Sequence, residues 1–161
     1  MKKNGIDRNA IFLWTIVGCF FIILGLAKNN IKIQYDLDVL TYSFERMIPN
    51  SSLIIADHIK QGSYDTSWLQ EAVNNLCYST DHLTLIEDDE ATHLQCQIAS
   101  KLKNFYLNDQ LQLLSEKERV YISDFMGHDF FRTADVQQLD EFSMYLTSII
   151  PSILERSQAE G

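Results

Sequence analysis

Proline and glycine are scarce, two and six residues respectively in a chain of 161. With 46% apolar side chains, that scarcity excludes a disordered chain over most of its length. Basic residues are also few, thirteen Lys and Arg against twenty-two Asp and Glu, for a formal charge of -9. An acidic chain repels phosphate backbones, which argues against nucleic acid as a partner. The familiar catalytic signatures are missing too: no G-x-S-x-G, P-loop, H-E-x-x-H or dinucleotide fingerprint occurs. Only Cys19, Cys77 and Cys96 carry thiols, and no paired Cys or His motif completes a zinc set.

What the chain does have is one long apolar run, Ala10 to Ala27, interrupted only by the mildly polar Thr15 and Cys19. As a helix these residues rise about 27 Å, close to the roughly 30 Å hydrocarbon core of a bilayer. A helix satisfies its own backbone amides, so such a run is at home in lipid. Residues 1–30 carry Lys2, Lys3, Arg8 and Lys28 against Asp7, net +3; residues 31–161 carry nine basic and twenty-one acidic side chains, net -12. The positive-inside rule then places the N-terminus in the cytoplasm and the acidic remainder outside, in the periplasm of a cell with an inner membrane. Trp14 stands near the cytoplasmic end, where an indole anchors at headgroups.

Three fates fit the run. Its length suits an uncleaved single-pass anchor, the fate taken here. Gly25-Leu26-Ala27 also forms a small-x-small site for cleavage of a signal peptide, and Ile16-Val17-Gly18-Cys19 is a loose lipobox. Thr15, Gly18 and Gly25 share one face of the helix, and small side chains there let a neighbouring helix approach closely.

The remainder, residues 31–161, is long enough for one domain with its own core. Asn29 to Tyr35 reads as a polar linker. Helical spacing then marks Leu37 to Ile48, ended by Pro49; Ser51 or Ser52 through Ile59, ended by Gly62; and a helix opened by a Ser67–Gln70 capping box and running to Cys77. Thr80 to Asp88 reads as a loop or short extended piece. A long amphipathic helix starts at Asp88 or Asp89 and carries Ala91, Leu94, Ile98, Leu102, Phe105 and Tyr106 on one face, with Leu107 to Leu114 continuing or bending it. Ser115 and Glu118 form a capping box for a helix closed by Gly127, and Thr133 caps a last helix kinked at Pro151. The expectation is an all-α protein, a transmembrane helix followed by a small bundle of about six helices.

Several constellations invite a chemical reading. Glu90 and His93 form E-x-x-H, half of a carboxylate-bridged metal site, and Cys96 lies one further i+3 step on; these three are the weak metal candidates. The second half of such a site is missing, so no metal or other cofactor is expected. Glu87-Asp88-Asp89-Glu90 puts four carboxylates at a helix start, where the dipole favours them and a basic partner would find them. Asp57-His58, Asp81-His82 and His128-Asp129 are adjacent pairs, and neighbours on a helix do not face each other. Phe130-Phe131 follows Gly127 as either a core plug or a partner contact. Cys77 and Cys96 fall on consecutive helices joined by a loop of about ten residues, which in an oxidising compartment predicts a disulfide.

Together these readings describe a non-enzymatic accessory subunit or inhibitor, held in the inner membrane and binding membrane or extracytoplasmic proteins. Thr15, Gly18 and Gly25 and the acidic run Glu87–Glu90 are its contact residues. The rival reading is an exported soluble bundle that binds a metal or small ligand.

Overall fold

The computed structural model describes the backbone of residues 8–127 and 133–159, with side chains from residue 19 onward. Among these residues every element is helical: α1 (Arg8–Gln61), α2 (Ser67–Ile86), α3 (Glu90–Leu107), a 3-10 turn (Gln110–Leu113), α4 (Glu116–Gly127), α5 (Val136–Ser148) and α6 (Ile150–Ala159). The all-α expectation holds. The chain divides into two compact units, residues 1–40 and 41–161.

Unit 1 is helical throughout its described part, so the linker expected at Asn29 to Tyr35 is instead continuous helix. From Cys19 to Leu40 every residue is exposed. No helix among the described residues is long and apolar enough to cross a membrane. The first half of the Ala10–Ala27 run, with Trp14, Thr15 and Gly18, lies outside the residues whose surroundings are described.

Unit 2 has a closed core. Ile48, Ile55 and Ile59 of α1 meet Leu69 and Leu76 of α2, Ile98 and Leu102 of α3, Ile122 and Met126 of α4, Leu139, Phe142 and Leu146 of α5, and Ile153 of α6. Each such side chain contributes about 1.5–3 kcal/mol on leaving water. α2 and α3 pack as an antiparallel hairpin, and α3 packs in turn on α5. Phe125 and Phe142 stack with ring centres 3.7 Å apart and join α4 to α5.

Pro49 does not end a helix. It removes one donor from the ladder, yet α1 continues to Gln61 because the following turns are held from outside. Ser51 and Ser52, expected to start a new helix, are buried inside it, and Ser52 Oγ donates to Met126 O at 2.9 Å. Ser123 Oγ returns the contact by donating to Ala56 O at 3.0 Å. A Cβ on Gly127 would meet Ala56 Cβ at 3.4 Å, so small residues let α1 and α4 approach closely. The stop is Gly62, whose φ of 67° is left-handed. Ser63 N–H reaches back to His58 O and Gly62 N–H to Ile59 O, the paired bonds of a Schellman cap.

α2 runs nine residues past Cys77, so the segment expected to be a loop from Thr80 is mostly helix. Ser79, Thr80 and Leu83 are buried there, and Thr80 Oγ1 satisfies itself on Leu76 O at 2.9 Å. Its cap is Thr66 rather than Ser67, accepting from Leu69 N–H. Asp89 caps α3 as expected, accepting from Thr92 N–H at 2.8 Å. α3 stops at Leu107 because Asp109 takes a φ of 53°, and the 3-10 turn follows. The Ser115–Glu118 capping box is present in both directions. For α5 the cap is Asp135, boxed with Gln138, in place of Thr133. Pro151 does not kink a single last helix: α5 ends at Ser148, and Pro151 sits in the first turn of α6, where a missing N–H costs nothing.

Candidate functional site

The acidic run closes the α2–α3 connection. Glu87 is half-buried and its N–H donates to Leu83 O at 2.7 Å, ending α2. Thr92, buried in the first turn of α3, donates its hydroxyl to Glu87 O and Asp89 O. Asp89 is the cap, and Asp88 Oδ1 lies 2.8 Å from His93 Nε2. Asp88, Asp89 and Glu90 are exposed, so the run offers a negative edge at a helix start. His93 is thereby turned to Asp88, five residues back, and not toward a site shared with Glu90. Among the described residues no group of three His, Cys, Asp or Glu side chains could hold a metal ion, so Glu90, His93 and Cys96 do not assemble.

Cys77 and Cys96 do come to the same place, but not to a bond. Both thiols are free, contrary to the expected disulfide. The hairpin forms as the sequence implies, yet Cys77 Sγ points along α3 and donates to Ala99 O at 3.2 Å instead of meeting the other sulfur. The two line a groove of about 580 Å³ between α2 and α3, with Tyr78, Asp81, Ser100 and Lys103. Burial pushes the Cys77 thiol up to about 11; Lys103 opposes the rise, while Cys96 and Asp81 add to it. Cys96 is raised as well, by burial first and then by Asp81, against hydrogen bonds from Thr80 and Ser100. Thiols held above their ordinary range stay protonated at neutral pH and are poor nucleophiles. The groove is not arranged for thiolate chemistry.

Neither described carboxylate–imidazole pair forms a dyad. His58 Nδ1 lies 3.0 Å from Ser63 O and helps close α1. His82 stacks on Phe44 with ring centres 5.3 Å apart and meets Tyr78 edge-on at 4.1 Å, a packing role joining α1 to α2. His128, Asp129, Phe130 and Phe131 lie outside the described residues.

Two polar clusters escape a reading by sequence spacing. Glu118 accepts from Ser115 N–H at 2.6 Å and from Arg156 Nη2 at 2.7 Å, tying the start of α4 to α6. Burial tends to raise its carboxyl, but the bonds from Ser115 and Arg156 prevail and hold it below the usual range. Lys101 Nζ donates to Ser143 O, Ser143 Oγ and Thr147 Oγ1, each at 2.8 Å, pinning α3 to α5. The capping box was the only local signal for either; the distant partners have none.

A run of uncovered apolar side chains lies in unit 1. Phe20, Phe21, Ile22, Ile23, Leu24 and Leu26 are exposed, and beyond them Ile31, Ile33, Tyr35, Leu37, Val39 and Leu40. Of the small-residue face, Gly25 is described, and a Cβ there would meet nothing within 4 Å. The helix side at Gly25 is therefore open among the described residues. Compared with protein-family models, curated proteins and solved structures, the chain matches none.

Proposed function

We propose that the chain is a single-pass, membrane-anchored, non-catalytic subunit, with its acidic helical unit outside the cytoplasm and binding other membrane or extracytoplasmic proteins. One observation carries this reading: an entirely exposed helical stretch, rich in large apolar side chains, precedes a unit whose core is already closed. Isolated exposed apolar residues are ordinary on a protein surface, but a continuous run of them marks a surface meant for lipid or another chain. Residues up to Ala27 suit lipid, since no charge interrupts them. From Lys28 onward charges return, and the apolar residues between them suit a protein partner. The Thr15–Gly18–Gly25 face supports contact with a neighbouring helix, and the Glu87–Glu90 edge supports contact with a basic surface.

The test is fractionation of the full-length chain, followed by intact mass and protease accessibility. The expected result is a protein that resists alkaline extraction from membranes, retains its N-terminal residues and is digested only from the periplasmic side. A chain recovered in the soluble fraction, or one beginning at Lys28, overturns the anchor. Replacing Gly18 and Gly25 by Leu should preserve insertion and reduce co-purifying protein.

A further inference from the structure

We infer that α1 pairs with α1 of a second copy, forming a parallel two-stranded coiled coil along the seam Asn30–Ile33–Leu37–Leu40. The spacing is the first ground. Ile23, Leu26, Asn30, Ile33, Leu37 and Leu40 follow one another at alternating intervals of three and four, the a and d positions of a heptad repeat. The same spacing continues to Phe44 and Met47, which belong to the core of unit 2. All of Ile23–Leu40 is helical, so the spacing is realised as a stripe.

Exposure is the second ground. Ile33 is 49% exposed, Leu37 37% and Leu40 47%, so the seam is open among the described residues of unit 1. The seam residues that follow the lipid-suited run, Ile33, Leu37 and Leu40, are those whose enclosure by a second copy takes apolar surface out of water.

Charge and polarity select the occupant. The chain is acidic, and two copies would ordinarily repel each other. The positions flanking the seam are Ala27, Asn29, Gln34, Asp36, Thr41 and Ser43, with a single charge among them. Lys28, Lys32 and Asp38 fall on positions away from the seam, and Asp38 already accepts from Gln34 at 3.1 Å. In a parallel pair Asp36 faces Thr41 of the other helix and Asn29 faces Gln34, so no like charges meet. A strongly charged partner helix would find no complement there. Asn30 supplies the register. An Asn at an a position needs a polar group opposite it in the apolar seam, and a second copy in parallel register supplies its own Asn30.

This pairing goes beyond the anchor reading and does not rest on it, because the decisive residues follow Ala27. The experiment uses full-length chain with its three native cysteines replaced by serine, purified in mild detergent. Single cysteines are then introduced by Ile33→Cys, Leu37→Cys and Leu40→Cys on the seam, and by Tyr35→Cys and Val39→Cys away from it. Mild oxidation should convert the seam variants to covalent dimers at least tenfold faster than the other two. The particle mass, with detergent subtracted, should be twice the 18.6 kDa of one chain. Leu37→Glu should return it to one chain while the helical signal and cooperative unfolding of unit 2 are retained. Cross-linking that is absent, or equal at all five positions, overturns the pairing. So does a Leu37→Glu chain that remains dimeric, or a seam cysteine in native membranes that captures only a different protein. A chain that fails to enter membranes but still cross-links at Leu37→Cys removes the anchor and leaves the dimer standing.

Discussion

The two units put similar side chains to opposite use. Ile33, Leu37 and Leu40 of unit 1 are exposed on the single chain, whereas Ile48, Ile55 and Ile59 of unit 2, on the same helix, are buried. Residue type and helical phase are alike in both places. What differs is the presence of other helices: α2 to α6 enclose the second set, while the first is exposed among the described residues of unit 1. Burial is thus a property of what packs against a helix, and residue type and phase alone do not settle it.

The sharpest way to break this comparison is truncation of one aromatic in each unit. Phe142→Ala removes a fully buried ring stacked on Phe125 and should cost about 3–5 kcal/mol in denaturant unfolding of unit 2. Tyr35→Ala, on exposed helix, should change that unfolding by less than about 0.5 kcal/mol. Equal effects would mean that the two units unfold as one.

The glycines give a smaller contrast, made by adding a methyl group instead of removing a ring. Gly62→Ala forces a side chain into a left-handed conformation and brings its Cβ to 3.0 Å from Arg119 Nη1, so unit 2 should lose about 1–2 kcal/mol. Gly25→Ala meets open space within a helix and should leave the unfolding of unit 2 unchanged. Thermal melts of the two variants check both statements.

Glu118 sharpens the comparison through pH, since it ties together elements of unit 2 only. Its folded carboxyl is held below the unfolded range of about 4.3, so its stabilisation is complete above that range and is lost as pH falls through the folded value. Glu118→Gln should lower stability at neutral pH by on the order of 1 kcal/mol and flatten the acid limb of the stability curve. An unaltered acid limb would show that the Arg156 contact contributes little.

The smallest effect concerns thiols. Cys77 titrates near 11 through burial, so its alkylation at pH 7 should be slow and should rise about tenfold for each pH unit up to that value. Cys19, in unit 1, is exposed, and its labelling should depend on whether detergent leaves it accessible. Mass spectrometry of the labelled chain distinguishes the sites.

Local chemistry made much of unit 2 legible. Gly62, Asp89 and the Ser115–Glu118 box act where they stand in the sequence, because a cap or a left-handed turn needs only three or four neighbouring residues. Less legible were the positions whose role depends on something distant. Ser51 and Ser52 read as a helix start, for serine favours caps, but the α4 backbone accepts from Ser52 and keeps both inside α1. Thr80 and Leu83 read as loop, and the facing α3 holds them helical. The disulfide failed for the same reason: spacing brings Cys77 and Cys96 onto one hairpin, while the direction of each sulfur depends on packing against Ala99.

The sequence by itself determined that this chain is helical, that its charge is divided between its two ends, and that an apolar run heads an acidic domain. Those properties are sums over near neighbours or over composition, and they survive any rearrangement in space. Only the tertiary structure decided which apolar faces are spent on the chain's own core and which are left over. A heptad from Ile23 to Met47 is written in the sequence as one continuous pattern. The fold buries Phe44 and leaves Ile33, Leu37 and Leu40 uncovered, because a hydrophobic stripe is satisfied by whatever surface reaches it, and within one chain only the other helices determine that reach.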